Sequence, residues 1–136
     1  MPNVLVIDDD VAVSTTIKVV LEHDGHVVTT VHNGRDGMKW LGRDRCDLVI
    51  VDIFMPGMDG FETIKVICAL QPQLPILVMS GFMVHSAAGS APDFLTMATK
   101  LGADQALPKP FTARELRKAV GECLASRDQA LKARSG

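Results

Sequence analysis

Acidic side chains gather at two points of the sequence, each at the end of a short apolar run. Asp8, Asp9 and Asp10 directly follow the run at residues 4–7, and Asp52 closes a second run. Carboxylates held close together repel one another, which raises their proton affinity unless a cation neutralises them. A hard divalent cation with oxygen ligands meets that need, and Mg²⁺ suits a site that keeps positions open for water and phosphate. The aspartates therefore predict a Mg²⁺ site, provided that the fold brings them together.

A hydroxyl and a lysine stand in equivalent places. Ser80 follows the apolar run at residues 76–79, and Lys109 follows a short run that stops at Pro108. Lys109 can pair with Asp52 and then with an oxygen of an incoming phosphoryl group. Taken singly, Ser80 and Lys109 are better explained by structural or solvated roles, and we expect Asp10 to cap a helix. The joint occurrence of these groups after four separate runs is what favours a common site.

The elements that must position these groups alternate between two periods. Three apolar runs rich in Val, Ile and Leu, at residues 4–7, 48–51 and 76–79, predict parallel strands covered on both faces. Residues 27–31 are a weaker fourth candidate for a strand, and residues 105–107 are a very short fifth one. The segments between and after them have helical periodicity and predict five helices, including residues 34–41, residues 94–101 and a last helix opened by a capping box at Thr112 and Glu115. This order predicts a doubly wound α/β fold, in which ligands bind at the carboxyl ends of the strands.

Composition narrows the class of protein further. The chain has 136 residues, which suggests one domain, and its net charge of -2 shows no basic stripe for nucleic acid. No apolar run approaches the roughly 20 residues that span a bilayer. The three cysteines are far apart and fit neither a disulfide framework nor a metal site. We therefore expect a cytoplasmic protein with neither a nucleic-acid nor a membrane partner.

Four stretches carry a specific resemblance. They are VLVIDDD (residues 4–10), LVIVDIFMPGMDG (48–60), ILVMSG (76–81) and GADQALPKPF (102–111). Together and in this order, they resemble the receiver domain of two-component response regulators over residues 3–126, which leaves residues 127–136 as a C-terminal tail that we expect to be frayed. The resemblance implies a flavodoxin-like five-stranded parallel sheet of order 2-1-3-4-5, flanked by five helices.

The resemblance also implies a role for each candidate residue. Asp52 matches the phosphoryl acceptor, Ser80 the hydroxyl that bonds the phosphoryl group, and Lys109 the lysine that neutralises it. The Lys109–Pro110 bond is expected to be cis. The Mg²⁺ ligands implied are Asp9, Asp52 and the backbone carbonyl of Phe54, with Asp8 acting largely through water.

A stand-alone signalling protein is the function implied, and not an enzyme with an external substrate. Its phosphoryl donor would be a phosphohistidine on a histidine kinase or a histidine phosphotransfer protein. Its output would be onward phosphotransfer, or binding of a protein target through the fourth helix, fifth strand and fifth helix.

Two features depart from the family pattern. Ala106 stands where the family usually has an aromatic residue, which rotates inward when the hydroxyl at the Ser80 position moves toward the phosphoryl group. Either Phe82, Phe94 or Phe111 replaces that aromatic residue, or the conformational change on phosphorylation works differently. The segment between Ser80 and Lys109 is also longer than usual, with the extra length around residues 82–92. That length is either a tolerated insertion or a partner-specific surface.

Two alternatives belong to other classes of protein. A haloacid-dehalogenase-like phosphatase also has aspartates after its first strand, and Asp8 and Asp10 could imitate its nucleophile and acid. That interpretation leaves Asp52 and the motif around it unexplained. A phosphorylation-independent module that keeps the receiver fold is the second alternative, and Ala106 keeps it open.

Overall fold

A computed structural model describes residues 2–53, 60–80, 100 and 102–135. Its five strands are β1 (Asn3–Ile7), β2 (Val27–Val31), β3 (Leu48–Asp52), β4 (Ile76–Ser80) and β5 (Gln105–Pro108). The helices of the described residues are α1 (Val11–His23), α2 (Gly34–Leu41), α3 (Gly60–Leu70) and α4 (Ala113–Ser135). All five predicted strands are present. The described residues hold four helices rather than the five predicted, and the prediction at residues 94–101 falls almost wholly outside them.

The strands form one parallel sheet in the order β2-β1-β3-β4-β5. The predicted order is therefore confirmed. β1 pairs with β3 so that Ile7 lies opposite Val51, which brings the residues after these two positions to the same edge of the sheet. β4 pairs with β5 up to Ser80 and Pro108. The order changes direction between β1 and β3, where ligands bind in folds of this class.

The sheet is buried on both faces, and successive strand residues alternate between two cores. Leu5 and Ile7 pack with residues of α2 and α3, whereas Val4 and Val6 pack with residues of α1 and α4. All five residues of β3 are buried. Because both faces are covered, a central strand needs apolar residues at every position, which explains the runs without alternation.

Two helices begin at caps that the sequence predicts. The Asp10 side chain accepts hydrogen bonds from the backbone N–H groups of Ala12 at 3.0 Å and Val13 at 3.2 Å, at the start of α1. At the start of α4, the Glu115 N–H donates to the Thr112 hydroxyl and the Thr112 N–H donates to the Glu115 carboxylate. Both predicted caps are confirmed. They satisfy backbone N–H groups that have no partner within the helix.

The opposite edge of the sheet, where the strands begin, has its own aspartates. The Asp47 carboxylate accepts the N–H of Asn3 at 2.7 Å, and the Asp47 N–H donates to the Asn3 carbonyl at 2.7 Å. Asp104 exchanges the same two bonds with Ile76, at 2.9 Å and 2.8 Å. Each aspartate therefore ties the start of one strand to the start of its neighbour. Neither aspartate was predicted from the sequence to have this role.

The C-terminal end differs from the expectation of a frayed tail. Helix α4 continues to Ser135, well beyond Ser126, and its backbone is helical over that segment. The division at residue 126 stays a prediction.

Among the helices of the described residues, none combines the length and the apolar character that a membrane crossing requires.

Candidate functional site

Asp8 and Asp52 lie side by side at the carboxyl edge because β1 and β3 are neighbours. Asp8 follows β1 and is fully buried, and Asp52 is the last residue of β3 and is 6% exposed. The backbone N–H of Asp8 donates to the Val31 carbonyl at 3.1 Å, which holds the residue against β2. The two carboxylates are therefore fixed by the sheet itself.

Lys109 joins the two carboxylates. Its Nζ lies 2.8 Å from Asp8 Oδ2 and 3.0 Å from Asp52 Oδ2. Because Lys109 follows β5 and β4 lies between β5 and β3, the long lysine side chain must span one strand, and neighbouring strands are roughly 4.8 Å apart. Burial by itself lowers the pKa of Lys109, but its contacts with both carboxylates outweigh burial and raise the pKa. The lysine is therefore a fixed positive charge.

Burial has the opposite consequence for Asp8. Desolvation raises the pKa of the Asp8 carboxyl, and the hydrogen bonds from Lys109 and from the Asp10 N–H oppose this only in part. The Asp10 N–H lies 2.9 Å from Asp8 Oδ1, and Lys109 holds Oδ2. A second cation near Asp8 would favour its ionised form.

Asp9 completes an acidic cluster. Asp8, Asp9 and Asp52 each offer a carboxylate oxygen within 4.8 Å of the others, with Asp9 exposed and the other two buried. Three carboxylates and one lysine leave two negative charges when all are ionised. A divalent cation matches that charge, and an all-oxygen donor set is the kind that Mg²⁺ prefers. The residues present therefore fit a Mg²⁺ ion.

Asp10, by contrast, does not belong to the cluster. Its carboxylate accepts N–H groups at the start of α1. An aspartate engaged as a helix cap is poorly placed to act as a general acid. This arrangement argues against the phosphatase alternative, which needs Asp10 in that role.

Two predicted site residues lie partly or wholly outside the described residues. Ser80 ends β4 at the same edge, and its backbone pairs with Pro108, but its side chain lies outside the described residues. Phe54, with the predicted carbonyl ligand, also lies outside them, as do Phe82, Phe94 and the lengthened segment at residues 82–92.

Gly60 supports the acceptor from behind. Its N–H donates to the Ile53 carbonyl at 3.3 Å. A Cβ at this position would overlap the Ile53 backbone and lie 2.6 Å from the Asp52 carbonyl oxygen. The first residue of α3 is therefore packed directly on the backbone that carries Asp52. Gly60 was recognised from the sequence only as the last residue of the motif at residues 48–60, because close approach between two backbones leaves no signal in side-chain pattern.

β5 contains the residue that departs from the family pattern. Ala106 lies in β5 and is half-buried, and Phe111, three residues after Pro108, packs against the core shared by α1 and α4. Of the three aromatic residues named as substitutes, Phe111 is the one within the described part of the chain. The Lys109–Pro110 bond is cis, as the resemblance implies.

Comparison with known proteins agrees with this geometry. The family model described as the response regulator receiver domain matches residues 4–121. The transcriptional regulatory protein AfsQ1 of Streptomyces coelicolor is 35% identical over 116 residues, which are 85% of this chain and 48% of that protein. The DNA-binding transcriptional regulator NtrC of a Bradyrhizobium species is 33% identical over 90% of this chain and 24% of that protein.

A solved structure gives the same result for the fold. The response regulator receiver domain protein from Clostridium thermocellum superposes with a TM-score of 0.83 at 29% identity, covering 96% of this chain and 99% of that one. The two curated regulators are longer, since the chain spans 48% of one and 24% of the other.

Proposed function

Because this chain belongs to the response regulator receiver domain family, whose model matches residues 4–121, we propose that Asp52 accepts a phosphoryl group from a phosphohistidine donor. The observation that best supports the proposal is the contact of Lys109 Nζ with both Asp8 and Asp52 beside the Asp9 carboxylate. Buried acidic groups with a fixed cation at a sheet edge are suited to positioning and charge stabilisation. Phosphoryl transfer depends mainly on these two effects.

The proposed Mg²⁺ site uses Asp9, Asp52 and the Phe54 carbonyl, with Asp8 acting largely through water. When bound, Mg²⁺ would neutralise the carboxylates and the oxygens of the phosphoryl group. Asp8 also orients Lys109, since its Oδ2 accepts from the lysine Nζ at 2.8 Å.

In the transfer step, a carboxylate oxygen of Asp52 attacks phosphorus in line with the donor bond. The new O–P bond forms as the P–N bond to the donor histidine breaks, and the histidine nitrogen leaves with the bonding electron pair. Lys109 moves part of its contact from Asp52 to a phosphoryl oxygen, and the Ser80 hydroxyl donates to another. The product is an acyl phosphate on Asp52, which water later hydrolyses.

The proposal extends to partners and setting. The donor is a histidine kinase or a histidine phosphotransfer protein, as the family implies. The protein acts as a stand-alone regulator. Its output is onward phosphotransfer, or binding of a protein target through the surface formed by the fourth predicted helix, β5 and α4. A cytoplasmic setting without nucleic acid stays a prediction from the sequence, and the curated relatives include regulators named as DNA-binding.

One alternative keeps a specific observation in its favour. Ala106 removes the usual aromatic coupling at β5, which would suit a module that binds its partner regardless of phosphorylation. The intact carboxylate cluster with Lys109 argues against it. If an Asp52→Asn variant bound the protein target as tightly as the phosphorylated wild type, the module would be favoured.

Intact mass spectrometry tests the acceptor chemistry directly. The protein is incubated with Mg²⁺ and acetyl phosphate or phosphoramidate, beside Asp52→Ala and a sample with a chelator. We expect one added phosphoryl group that needs Mg²⁺ and is absent from Asp52→Ala. Time points within seconds of mixing exclude rapid hydrolysis of the adduct. An adduct that survives Asp52→Ala, or none at the earliest time point, would overturn the proposal.

The stand-alone arrangement needs a separate measurement. An antibody against this chain, applied to extracts of the source cells, reports the length of the mature protein. A band at the 14.7 kDa expected for 136 residues supports a single receiver. A longer product would place this receiver in a multidomain regulator.

A further inference from the structure

Helices α2 and α3 do not close fully against each other at their C-terminal ends. They leave a groove of about 200 Å³, which is lined by Met38, Leu41, Gly42, Ile67, Leu70 and Gln71. Four of these six residues are large and apolar. The volume is below the roughly 300–1,000 Å³ of pockets that bury small molecules, and it suits a large side chain.

Leu70 gives this groove an apolar rim. Its side chain is 68% exposed, the highest value among the exposed large hydrophobic residues of the described chain. Helix α3 begins at Gly60 beside Asp52 and ends at Leu70, so the groove lies about 15 Å along the helix from the acceptor. Occupation of the groove therefore leaves the acceptor open.

A group of cations lies on α2 and the turn after it, the same segment that contributes Met38, Leu41 and Gly42 to the groove. Arg35, Lys39, Arg43 and Arg45 are all exposed. Arg35 and Lys39 are four residues apart and share one side of the helix. The salt bridges among the described residues involve none of these four cations. With Asp36 and Asp44 included, residues 35–45 have a net charge of +2, whereas the whole chain has a net charge of -2.

From these two features, we infer that the α2–α3 groove is a second docking surface, which takes an acidic amphipathic helix of a partner protein. One large apolar side chain of that helix fills the groove against Leu70, and its carboxylates face Lys39 and Arg43. This is the helix-in-groove mode of recognition, with charge complementarity setting the orientation. The surface is separate from the predicted output surface on β5 and α4, and it does not depend on phosphorylation of Asp52.

Other occupants fit the surface less well. A bilayer is flat, whereas this site is concave, and Asp36 and Asp44 offset two of the four cations, which leaves a net charge of only +2. Nucleic acid requires a larger basic stripe. A helix with one anchor and several carboxylates matches both the concavity and the charge.

The test uses the full chain and a synthetic library of peptides about 18 residues long, since isolated helices shorter than roughly 12–15 residues are marginal in water. Each peptide has glutamates along one side and one variable anchor of Leu, Met or Phe. Fluorescence anisotropy measures binding to the wild type and to two variants, Leu70→Asp and the double substitution Lys39→Glu with Arg43→Glu. We expect binders whose affinity falls by roughly tenfold or more in either variant, as for a central interface residue.

Matched controls separate this site from general surface effects. Val19→Asp changes an apolar residue of α1 that is 62% exposed, and Lys118→Glu reverses an exposed charge on α4. Neither control is expected to weaken binding. Because Leu70 and Val19 are exposed, both aspartate variants should stay folded, which circular dichroism checks.

Several outcomes would overturn the inference. The first is a library in which no peptide is sensitive to Leu70→Asp, and the second is equal binding of matched lysine peptides. Binding of anionic phosphatidylserine vesicles that Leu70→Asp abolishes would identify a bilayer as the occupant. Self-association in sedimentation experiments that Leu70→Asp abolishes would identify a second copy of this chain.

Discussion

The two edges of the sheet use the same residue type for different purposes. At the amino edge, Asp47 and Asp104 each exchange two hydrogen bonds with the backbone of the neighbouring strand. At the carboxyl edge, Asp8, Asp9 and Asp52 lie within 4.8 Å of one another and have Lys109 between two of them. The amino-edge aspartates are held by backbone groups one at a time, whereas the carboxyl-edge aspartates form a common electrostatic site.

The difference shows that an aspartate next to a strand does not by itself indicate a functional site. A carboxylate that accepts the N–H of a neighbouring strand joins two segments of the backbone. A group of carboxylates around one lysine has excess negative charge, and this charge attracts a cation or a phosphoryl group with its metal. We therefore expect substitutions at the amino edge to change stability alone, and substitutions at the carboxyl edge to change Mg²⁺ binding and phosphorylation.

The largest effect is expected for Lys109→Met, which removes the charge and keeps much of the side-chain volume. The rate of phosphorylation by phosphoramidate should fall by roughly 100-fold or more, as for the loss of one group that stabilises transition-state charge. Time-resolved intact mass measures the rate. Lys118→Met, at an exposed position of α4, is the control and should react at the wild-type rate. An unchanged rate in Lys109→Met would remove the lysine from the mechanism.

Gly60→Ala tests the backbone contact behind the acceptor. Its Cβ would overlap the backbone at Asp52 and Ile53, so the free energy of unfolding should fall by roughly 2–3 kcal/mol, as in overpacked sites. Urea denaturation measures the change. Gly121→Ala is the matched control, because no atom other than those of the adjoining residues and the surrounding helix backbone lies within 4 Å of the added Cβ, and a helical alanine should add about 0.5–1 kcal/mol. Equal stabilities of the two variants would contradict the close packing.

Asp104→Ala tests the amino edge. Loss of the acceptor for the Ile76 N–H should lower the free energy of unfolding by about 1 kcal/mol, the usual net value of one hydrogen bond. The rate of phosphorylation by phosphoramidate should not change. Asp104→Asn keeps an acceptor oxygen and should lose less stability in the same urea experiment. A fall in phosphorylation rate in Asp104→Ala would break the distinction between the two edges.

Asp9→Asn should give the smallest change in stability and a clear change in Mg²⁺ response. Asp9 is exposed and near two buried carboxylates, so its neutralisation relieves repulsion in Mg²⁺-free buffer. We expect an unchanged or slightly higher melting temperature without Mg²⁺, and a smaller rise when Mg²⁺ is added. Differential scanning calorimetry with and without Mg²⁺ measures both. A full Mg²⁺ response in this variant would exclude Asp9 as a ligand.

Much of the fold follows from local pattern. The three apolar runs and the two weaker candidates locate all five strands to within one residue at either end, and helix α2 has the predicted bounds. The caps at Asp10 and Thr112 follow from residue type and spacing, because each cap is a contact within one turn of a helix. The order of the strands in the sheet was predicted from the family resemblance, because periodicity alone does not determine it.

The sequence by itself determined the strands, the helix caps and the set of chemically competent groups, because these depend on neighbours in the chain. The tertiary structure decided which groups meet. Lys109 reaches across the end of β4 to Asp52 and also contacts Asp8, and the Asp10 carboxylate caps α1. The tertiary structure also decided that Asp47 and Asp104 bind backbone, that Gly60 packs on Asp52, and that a groove remains between α2 and α3. These are contacts between separate elements, and their distances arise only when the sheet is assembled.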